Sequence, residues 1–458
     1  DLASHDLANR LVGNPADAAA LEVTLTGCSF RVSAPTRLAV TGAECEVSVN
    51  DRAQAWGSAV LVPGGAEVVI GPAAAGLRSC VAVAGGLGPY ENTRAALASI
   101  DLSPVRGRRV LLKPNVGRVA PPDSGVVTNP QVVAAAIDTF RAAGAEVAVG
   151  ESPIVGVNLS EAFAAAGLTA IAARRGCRLI DMDRHHFTEI ALPDGRAIHR
   201  IRVCEDVFDF DLLVSIPVMK MHMHTGVTLA VKNMKGCLWR RSKVELHMLP
   251  PIEGDTAKPI DVAIADMSSL LRPHLAIVDG TVGMEGLGPG AGRAKPLGVV
   301  LAGTDAYAAD AVACRLMGVD ARQVPHLRFG ADRGYGVIAL SQIDVAPEDW
   351  LRWAAPFAAP PENLTIEFPS VTVLDRNSCS ACQSTLLLFL QNHREKLLDY
   401  FSSDSPIHIA IGKGHADLPE GTLCLGNCTI NQRDKGIFVP GCPPVGSQIL
   451  RVIAEGTR

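Results

Sequence analysis

Aromatic residues are scarce in this sequence of 458 residues, at 4%, and charged residues make up only 19%. Basic residues are not in excess either, because 42 Lys and Arg stand against 47 Asp and Glu, for a net charge of −5. A protein that binds duplex nucleic acid usually carries a basic face, so this balance argues against a nucleic-acid partner. Hydrophobic residues reach 48%, which allows a sizeable core and excludes a wholly disordered chain.

Long hydrophobic runs are also missing from the sequence. The most apolar stretch, STLLLFLQNH, is much shorter than the run of about twenty apolar residues that spans a bilayer. The chain does not open on a basic and then apolar stretch of the kind that directs export. We therefore expect a cytoplasmic protein without a membrane partner, in which disulfide bonds are rare.

The first 88 residues are predicted to form an all-β segment after one short helix. The helix covers DLANRLVGN and ends near Gly13, and short alternating runs such as ALEVTLTG, RLAVTGA and EVVIGP follow it. Gly, Pro and Asn-Asp separate these runs at intervals of roughly ten residues, a spacing typical of a sandwich or a barrel. The sequence therefore predicts a partial, barrel-like β segment over residues 1–88.

From residue 89 the pattern changes to strands that alternate with helices. RRVLLKPN, AEVAVGES, DLLVSIPVMKMH, HLAIVDGT and PLGVVLAG are apolar strands. The helix NPQVVAAAIDTFRAAG has Asn129 as its N-cap, Pro130 in its first turn and Gly144 at its end. This alternation predicts an α/β domain with a doubly wound, mostly parallel sheet over residues 89–345. A connector rich in Pro and Trp, 346–370, then leads to a cysteine-rich module, 371–458.

Polar side chains gather where the predicted parallel strands end, which is where open α/β sheets bind ligands. In KMHMHTGVTLAVKNMKG, the side chains of Lys220, His222 and His224 share one face if the strand continues. Two histidines at this spacing could bind a metal or exchange protons with a substrate, and the lysines suit an anion. An ordinary strand end with hydrogen-bonded histidines and solvated lysines would show the same residues. We predict a cleft for a small anionic molecule, with these catalytic candidates: Lys113, Lys220, Lys232, His222 and His224.

A glycine-rich stretch, VDGTVGMEGLGPGAG, is predicted as a loop after the strand HLAIVDG. Its glycines would let the backbone approach an anion closely. No Gly-Lys-Ser/Thr follows, and the glycine spacing is the reverse of the dinucleotide-binding order, so no nucleotide site is predicted.

Five of the twelve cysteines fall in the last 80 residues, and clustered thiols in a chain without an export signal indicate metal ligands or redox groups. Four thiolates hold a [4Fe–4S] cluster or a zinc ion, and a pair could instead act as a redox dithiol. The cysteines are spaced as C-x₂-C, a long gap and C-x₃-C, which is looser than paired zinc knuckles. The last cysteine is followed by proline, as in bacterial ferredoxin runs. With [4Fe–4S] as the cofactor and zinc as the alternative, we predict these ligands: Cys379, Cys382, Cys428 and Cys442. Cys424, in the apolar run GTLCLG, is predicted as a spare or supporting residue.

These segments resemble two known families. VLLKPNVG, VVTNPQVVAAAID, IPVMKMHMHTGVTLAVKNMKGCL and PLGVVLAGTDAYAADAVACRLMG look like the DUF362 family, from residue 91 to the C-terminus. That family is uncharacterised and many of its members carry iron–sulfur centres, so the resemblance implies a cluster but no reaction. LANRLVGNP, AALEVTLTG, LAVTGAE and GLRSCVAVAGGL resemble part of the carboxyltransferase subdomain C/D family, which includes allophanate hydrolase subunit 2 and a subunit of 5-oxoprolinase.

Three functions are compatible with these features, and they leave open whether the protein is an enzyme. The first is an iron–sulfur enzyme that acts on a small carboxylate in the strand-end cleft. The second is an electron carrier or redox sensor with a redox partner, in which the cluster itself is the function. The third, implied by the resemblance of the first segment, is an amide hydrolase that acts on a cyclic amide such as 5-oxoproline or on a urea derivative.

Overall fold

A computed structural model of the chain divides into two compact units, Asp1–Asn92 and Thr93–Arg458. Of residues 380, 381, 384 and 394 only the backbone is described, and the described ranges are 2–14, 16, 18, 20–32, 35–86, 88–255, 257–290, 292–360, 368, 370–378, 380–401 and 406–456. Among the described residues, no helix is both long and apolar enough to pass through a bilayer. The boundaries predicted at residues 88, 345 and 370 stay predictions.

The first unit is an antiparallel β structure that begins with a helix. Its elements are α1 (Leu2–Val12), β1 (Leu21–Thr24), β2 (Cys28–Arg31), β3 (Thr36–Val49), β4 (Arg52–Gln54), β5 (Ala59–Val62) and β6 (Glu67–Val83), and α2 (Pro89–Ala98) runs across the division of the chain. The predicted first helix is confirmed, because α1 ends at Val12 and Gly13 then takes a φ of +84°.

Two long strands, β3 and β6, organise this unit. The strand order is β1-β6-β3-β4, with β2 also paired to β6 and β5 also paired to β3, and every pairing is antiparallel. Alternate residues such as Val47, Val68 and Ile70 are buried in one hydrophobic core. The all-β prediction is therefore confirmed. The barrel-like closure is not formed among the described strands, since β1 and β4 end the pairing path without pairing to each other.

The second unit begins with alternating strands and helices, as the sequence predicts. Its first elements are β7 (Arg109–Pro114), α3 (Pro130–Ala142), β8 (Glu146–Glu151), α4 (Leu159–Ala165), α5 (Leu168–Arg175), β9 (Arg178–Asp181), β10 (Phe187–Ala191), β11 (Arg200–Cys204), β12 (Leu212–Ile216), β13 (Val218–His222), β14 (Gly226–Thr228), α6 (Ala230–Asn233), α7 (Ser242–Glu245), α8 (Pro259–Met267), β15 (Leu275–Glu285), β16 (Arg293–Gly303), α9 (Ala306–Leu316) and α10 (Pro325–Asp332). The helix predicted after Asn129 is confirmed, because the Asn129 side chain accepts a hydrogen bond from the Gln131 N–H at 2.9 Å.

A mixed sheet of eight strands forms the centre of this unit. Its order is β14-β13-β15-β12-β7-β8-β9, with β16 paired to the other side of β15. The pairs between β9, β8, β7, β12, β15 and β13 are parallel, which confirms the mostly parallel prediction. Strands β14 and β16 are antiparallel because each returns directly from the strand before it.

The first half of the predicted glycine-rich loop is strand. Strand β15 continues to Glu285, which pairs with Arg293 of β16. A Cβ on Gly283 would lie 2.7 Å from the Phe357 ring and from the Met219 carbonyl oxygen, so glycine here allows close packing inside the sheet. The loop prediction was therefore wrong for residues 280–285, because a glycine that permits packing and a glycine that permits a turn look alike in sequence.

The C-terminal residues form a second, smaller sheet within the same unit. Its elements are β17 (Val371–Asp375), α11 (Ser380–Leu398), β18 (Ile407–Ile411), β19 (Thr422–Leu425), β20 (Gly436–Val439) and α12 (Gly446–Gly456). The four strands are parallel in the order β17-β18-β19-β20. This segment has a hydrophobic core of its own, in which Leu390, Ile409 and Leu423 are fully buried.

Candidate active site

A cavity of about 540 Å³ lies at the carboxyl edge of the large sheet, where β7, β8 and β13 end. Its floor and walls come from these strand ends and from the segment that follows β14, and its other side is formed by α11 and the start of α12. Because parallel strands end at the same edge, residues far apart in sequence meet here. All five predicted cleft residues line the cavity: Lys113, Lys220, Lys232, His222 and His224.

Lys113 is part of the structural floor of the cavity. Its Nζ donates hydrogen bonds to Glu151 Oε2 at 2.8 Å, to Asn233 Oδ1 at 3.1 Å and to the Pro114 carbonyl oxygen at 2.7 Å. An ammonium group has three donors, so none is left for a ligand. A Cβ on Gly236 would overlap both Lys113 and Glu151, which explains the glycine at that position. Lys113 therefore connects the ends of β7 and β8 to α6, and its contact with an anion stays a prediction.

Lys220 has one donor left. Its Nζ donates to Asn115 Oδ1 at 2.6 Å and to the Val126 carbonyl oxygen at 2.5 Å. Burial, together with the nearby charge of Arg118, lowers the pKa of the Lys220 amine to about 7. Lys220 can therefore be neutral or charged near pH 7, depending on what occupies the cavity.

Among the amines of the cavity, Lys232 and Lys235 have the most unused donors. Within the described residues, Lys232 Nζ bonds only to Thr228 Oγ1, at 3.2 Å, and Lys235 Nζ only to His247 Nε2, at 3.2 Å. Within the described part of the chain, no carboxylate forms an ion pair with Lys220, Lys232 or Lys235. Burial lowers the pKa of Lys232 well below its usual value and lowers that of Lys235 to about 7. Lys235 was absent from the predicted catalytic residues, although its i, i+3 spacing from Lys232 places both on one helical face.

His222 presents a neutral donor to the cavity. It is the last residue of β13, and its Nδ1 accepts hydrogen bonds from the His224 N–H at 3.0 Å and the Thr225 N–H at 3.3 Å. Burial lowers the pKa of the imidazole well below its usual value, so the ring is neutral. Because Nδ1 is an acceptor, we assign the proton to Nε2. His222 can therefore donate from Nε2 to a ligand.

His224 lies beyond the end of the strand, in the turn that leads to β14, so the predicted strand alternation stops at His222. The two imidazoles nevertheless remain neighbours, with ring centroids 5.2 Å apart, and the His247 ring lies 5.4 Å from that of His224. His224 Nε2 bonds to Thr385 Oγ1 of α11 at 2.7 Å. Burial lowers the pKa of His224 to about 3, and Lys232 adds to this effect. The surrounding lysines disfavour a metal ion here and favour an anion.

The predicted cysteine ligands follow the ends of parallel strands in the small sheet. Cys382 is buried in the first turn of α11, after β17; Cys428 is exposed after β19; and Cys442 is half-buried after β20. Cys379 lies outside the described residues. Among the residues that the structure describes, no three His, Cys, Asp or Glu side chains are grouped as they would be around a metal. The backbone thus brings the three segments to one sheet edge, but the described thiols do not form a complete ligand set.

Cys424 is part of the core of the small sheet. It is buried in β19 and packs against Ala410 and Leu418, and its Sγ donates to the Gln432 carbonyl oxygen at 3.4 Å. Burial raises the pKa of this thiol to about 11, which opposes the thiolate that a metal requires. These contacts are those of a core residue.

The cysteine-bearing segments adjoin the cavity. The Cys442 N–H donates to the His247 carbonyl oxygen at 3.0 Å, and Asn427 Nδ2 donates to the Leu249 carbonyl oxygen at 2.7 Å. On α11, Cys382 lies about one helical turn before Thr385, the residue that bonds His224. A group held by these cysteines would therefore lie beside the wall of the cavity.

Comparisons with known proteins match both parts of the chain. Residues 110–315 match the model of DUF362, a domain of unknown function, and residues 1–151 match that of the carboxyltransferase domain, subdomain A and B. The expectation named subdomain C/D together with a 5-oxoprolinase subunit, and a protein of that kind is among the relatives found. Residues 110–151 fall within both matches, and the structure places them in the α/β sheet of the second unit.

Three similar proteins cover different stretches of the chain. A thylakoid-associated protein of Synechocystis sp. is 27% identical over 48% of this chain and 66% of its own length. A subunit of the 5-oxoprolinase of Escherichia coli is 37% identical over 19% of this chain and 28% of its own length. The crystal structure of Kluyveromyces lactis urea carboxylase is 34% identical over 18% of this chain and 7% of that chain, with a TM-score of 0.18.

The chain spans less than two thirds of each of these relatives, so none of them represents the whole molecule. The DUF362 match covers the strands that end at Lys113, Glu151 and His222, and with them most of the floor of the cavity. Residues 110–315 are therefore similar to DUF362, a domain of unknown function, and residues 1–151 are similar to the carboxyltransferase domain.

Proposed function

We propose that residues 93–458 bind a small anionic substrate in the cavity and act on it by proton transfer. The observation that carries this proposal is the convergence of unused donors on Lys220, Lys232, Lys235 and His222, without a carboxylate partner among the described residues. A buried polar group without a partner is costly, and an anion supplies the missing acceptor. Water could also accept hydrogen bonds from these donors, but only an anion would also balance the positive charge of the amines.

The depressed pKa of the lysines gives the cavity acid–base chemistry near neutral pH. An amine with a pKa of about 7, such as that of Lys235 or Lys220, can accept a proton from carbon next to a carboxylate and become an ammonium. The new ammonium and the Nε2–H of His222 then stabilise the negative charge that develops on the carboxylate oxygens. Lys113 and Glu151 keep the strand ends in place during this change.

We further propose that the cysteine-rich edge holds a [4Fe–4S] cluster, with zinc as the alternative. Cys379, Cys382, Cys428 and Cys442 would hold it, and the resemblance to DUF362 proteins together with the placement of three cysteine segments at one sheet edge supports this assignment. A bound cluster would supply one-electron transfer beside the cavity. Iron and acid-labile sulfide counts on anaerobically purified protein test the assignment, and zinc in place of iron would contradict it.

Anion binding can be tested directly by calorimetric titration of the protein with inorganic phosphate and with glutarate at pH 6.5. We expect saturable binding of at least one of these anions and its loss in Lys232→Met, because that change removes two unused donors. Lys396→Met, on an exposed part of α11, is the matched control and should bind as the wild type does. If wild type binds neither anion, or if both variants bind equally well, the proposed function is wrong.

A second candidate function is favoured by the first unit, which is similar to a subunit of 5-oxoprolinase and to urea carboxylase. Under this proposal the protein acts on a cyclic amide such as 5-oxoproline, or on a urea derivative. Release of glutamate from 5-oxoproline in the presence of ATP, by the full chain, is the test. No release, with anion binding retained, would leave the first proposal as the better account.

A further inference from the structure

An unpaired guanidinium lies in the wall of the same cavity. Arg118 lines the cavity four residues after β7 and is exposed, and a Cβ on Gly290 would lie 3.0 Å from its Nε. Within the described residues, its guanidinium makes no hydrogen bond and no ion pair. A guanidinium with five free donors in one plane is well suited to hold a carboxylate by two hydrogen bonds.

The free donors of the cavity outnumber what one carboxylate can accept, which is about four hydrogen bonds. Arg118 alone offers five donors and forms one group. Lys232, Lys235 and the Nε2–H of His222 form the other group, on β13 and the segment after β14. One small anion therefore cannot satisfy both groups.

Apolar side chains line the cavity between and around these groups. Ile154 and Val155 lie beside Arg118, because the Ile154 N–H donates to the carbonyl oxygen of Gly117 at 3.2 Å, and both are partly exposed. Leu388 and Phe389 of α11 contribute apolar surface on the other side of the cavity. These side chains would contact the carbon body of a ligand and offer it no hydrogen bonds.

We propose that the substrate carries two anionic end groups on a short apolar body, in its simplest form an aliphatic dicarboxylate, and that Arg118 selects it by holding the second carboxylate. This inference rests on the proposed anion-binding function of the same cavity. Lys232, Lys235 and His222 hold the carboxylate at which the proton is transferred. Arg118 binds the other end and takes no part in the proton transfer, so it determines specificity.

The test compares matched pairs of acids that differ only in the second carboxylate. Dissociation constants are measured by calorimetry at pH 6.5 for succinate against butyrate, glutarate against pentanoate, and adipate against hexanoate. We expect the best-fitting dicarboxylate to bind about tenfold to a hundredfold more tightly than its partner, which is the value of one charge-assisted contact. The chain length with the largest ratio then reports the separation of the two groups.

Variants test whether Arg118 causes the preference for the dicarboxylate. Arg118→Gln should reduce the ratio to about one, because it weakens binding of the dicarboxylate much more than binding of the monocarboxylate. Arg174→Gln, an exposed arginine in the last turn of α5, is the matched control and should keep the wild-type ratio. Lys232→Met should weaken both acids of a pair. Circular dichroism melting confirms that each variant is folded before its titration is read.

The outcomes separate this inference from the function on which it rests. If the wild type binds monocarboxylates and dicarboxylates equally well, or if Arg118→Gln keeps the ratio, the dicarboxylate assignment is wrong while anion binding stands. If the wild type binds inorganic phosphate but no organic acid, the assignment is also wrong. If no anion binds at all, the proposed function fails and this inference fails with it.

Discussion

Lys220 and Lys235 couple anion binding in the cavity to pH. Burial lowers the pKa of both amines to about 7, and a bound anion favours their charged form. Binding should therefore be accompanied by proton uptake near pH 7. The affinity should rise as the pH falls through 7 and weaken as the pH rises above it.

We expect the dissociation constant of glutarate to increase by about tenfold per pH unit and per amine above pH 7. Glutarate suits this test because its first carboxyl titrates near 4.3, like a Glu side chain, and its second roughly one unit higher, so both stay ionised above about pH 6.5. Calorimetry from about pH 6.5 to 8.5 measures the profile, and Lys235→Met should make it shallower. A dissociation constant that is constant between pH 6.5 and 8.5 would show that neither amine titrates on binding.

His222 has two separable roles, one for each ring nitrogen. Nδ1 accepts the N–H groups of His224 and Thr225 and so holds the turn after β13, while Nε2–H faces the ligand. The side-chain oxygen of His222→Asn can replace Nδ1 but cannot replace Nε2–H. We expect this variant to melt close to the wild type and to bind glutarate about tenfold more weakly, the value of one hydrogen bond to a charged group.

His222→Ala loses both roles and should also melt at a lower temperature than His222→Asn. Calorimetric titration and thermal melting of the two variants separate binding from stability. Equal affinity in the wild type and His222→Asn would mean that Nε2 does not contact the ligand.

The candidate residues of the cavity could be predicted from the sequence only in part. The density of Lys and His after a buried strand was a sufficient signal for Lys220, Lys232, His222 and His224. The role of Lys113 was not predictable, because its three donors are used by partners as distant as Asn233, 120 positions along the chain. Arg118 carries no local signal either, since an arginine in a polar loop is ordinary and only the fold shows that it faces the same cavity.

At the scale of elements, the parallel strands and their helices were predictable because apolar runs and caps are local signals. Helix α3 shows this, with Asn129 as its cap and Gly144 just beyond its end. The pairing partners of the antiparallel strand β16 and the length of β15 were not predictable. Both depend on glycines that pack against Met219 and Phe357, which are distant in sequence.

The C-terminal sheet has a source of order that the sequence around its cysteines does not indicate. Its polar, glycine-rich sequence around the cysteines indicates a segment that is ordered mainly by metal ligation. The structure instead shows a buried core beneath the strands, with Leu390, Ile409 and Leu423 fully covered. These apolar residues lie in α11 and the strands, away from the cysteine loops, and they provide order of their own.

We therefore expect a metal chelator to leave most of residues 371–456 resistant to protease, with new cleavage confined to the loops that carry Cys428 and Cys442. Leu390→Ala should lower the free energy of unfolding by about 2–5 kcal/mol, since it opens a cavity in this core. Limited proteolysis followed by mass spectrometry locates the cleavage sites, and chemical denaturation measures the variant. Rapid digestion of α11 and α12 after chelation would instead mean that the metal orders all of residues 371–456.

At the scale of the whole molecule, the second unit brings the carboxyl edges of its two sheets into contact. The cavity lies at the ends of β7, β8 and β13 of the large sheet, and the cysteine segments follow β17, β19 and β20 of the small one. Hydrogen bonds between Cys442 and His247 and between Thr385 and His224 connect the two edges. A redox group held by the cysteine segments would therefore lie beside the cavity.

Every described residue that lines this cavity lies between Lys113 and Ser447, within the second unit. Each unit has its own hydrophobic core, around Val47, Val68 and Ile70 in the first and around the large sheet in the second. The chain divides between Asn92 and Thr93. We therefore expect a chain that starts at Thr93 to bind glutarate with the dissociation constant of the full chain, and the full chain to unfold in two calorimetric transitions.

The transition that belongs to residues 1–92 should be absent from the shortened chain. The transition of the second unit should keep its temperature and enthalpy. Calorimetric scanning and titration of the two proteins provide both measurements, and Lys232→Met in the shortened chain is the control for specific binding. If the shortened chain folds with its transition intact but no longer binds glutarate, residues 1–92 contribute to the cavity in a way that the separate cores do not reveal. If it fails to fold, the two units depend on each other, and the first unit is required for the stability of the second.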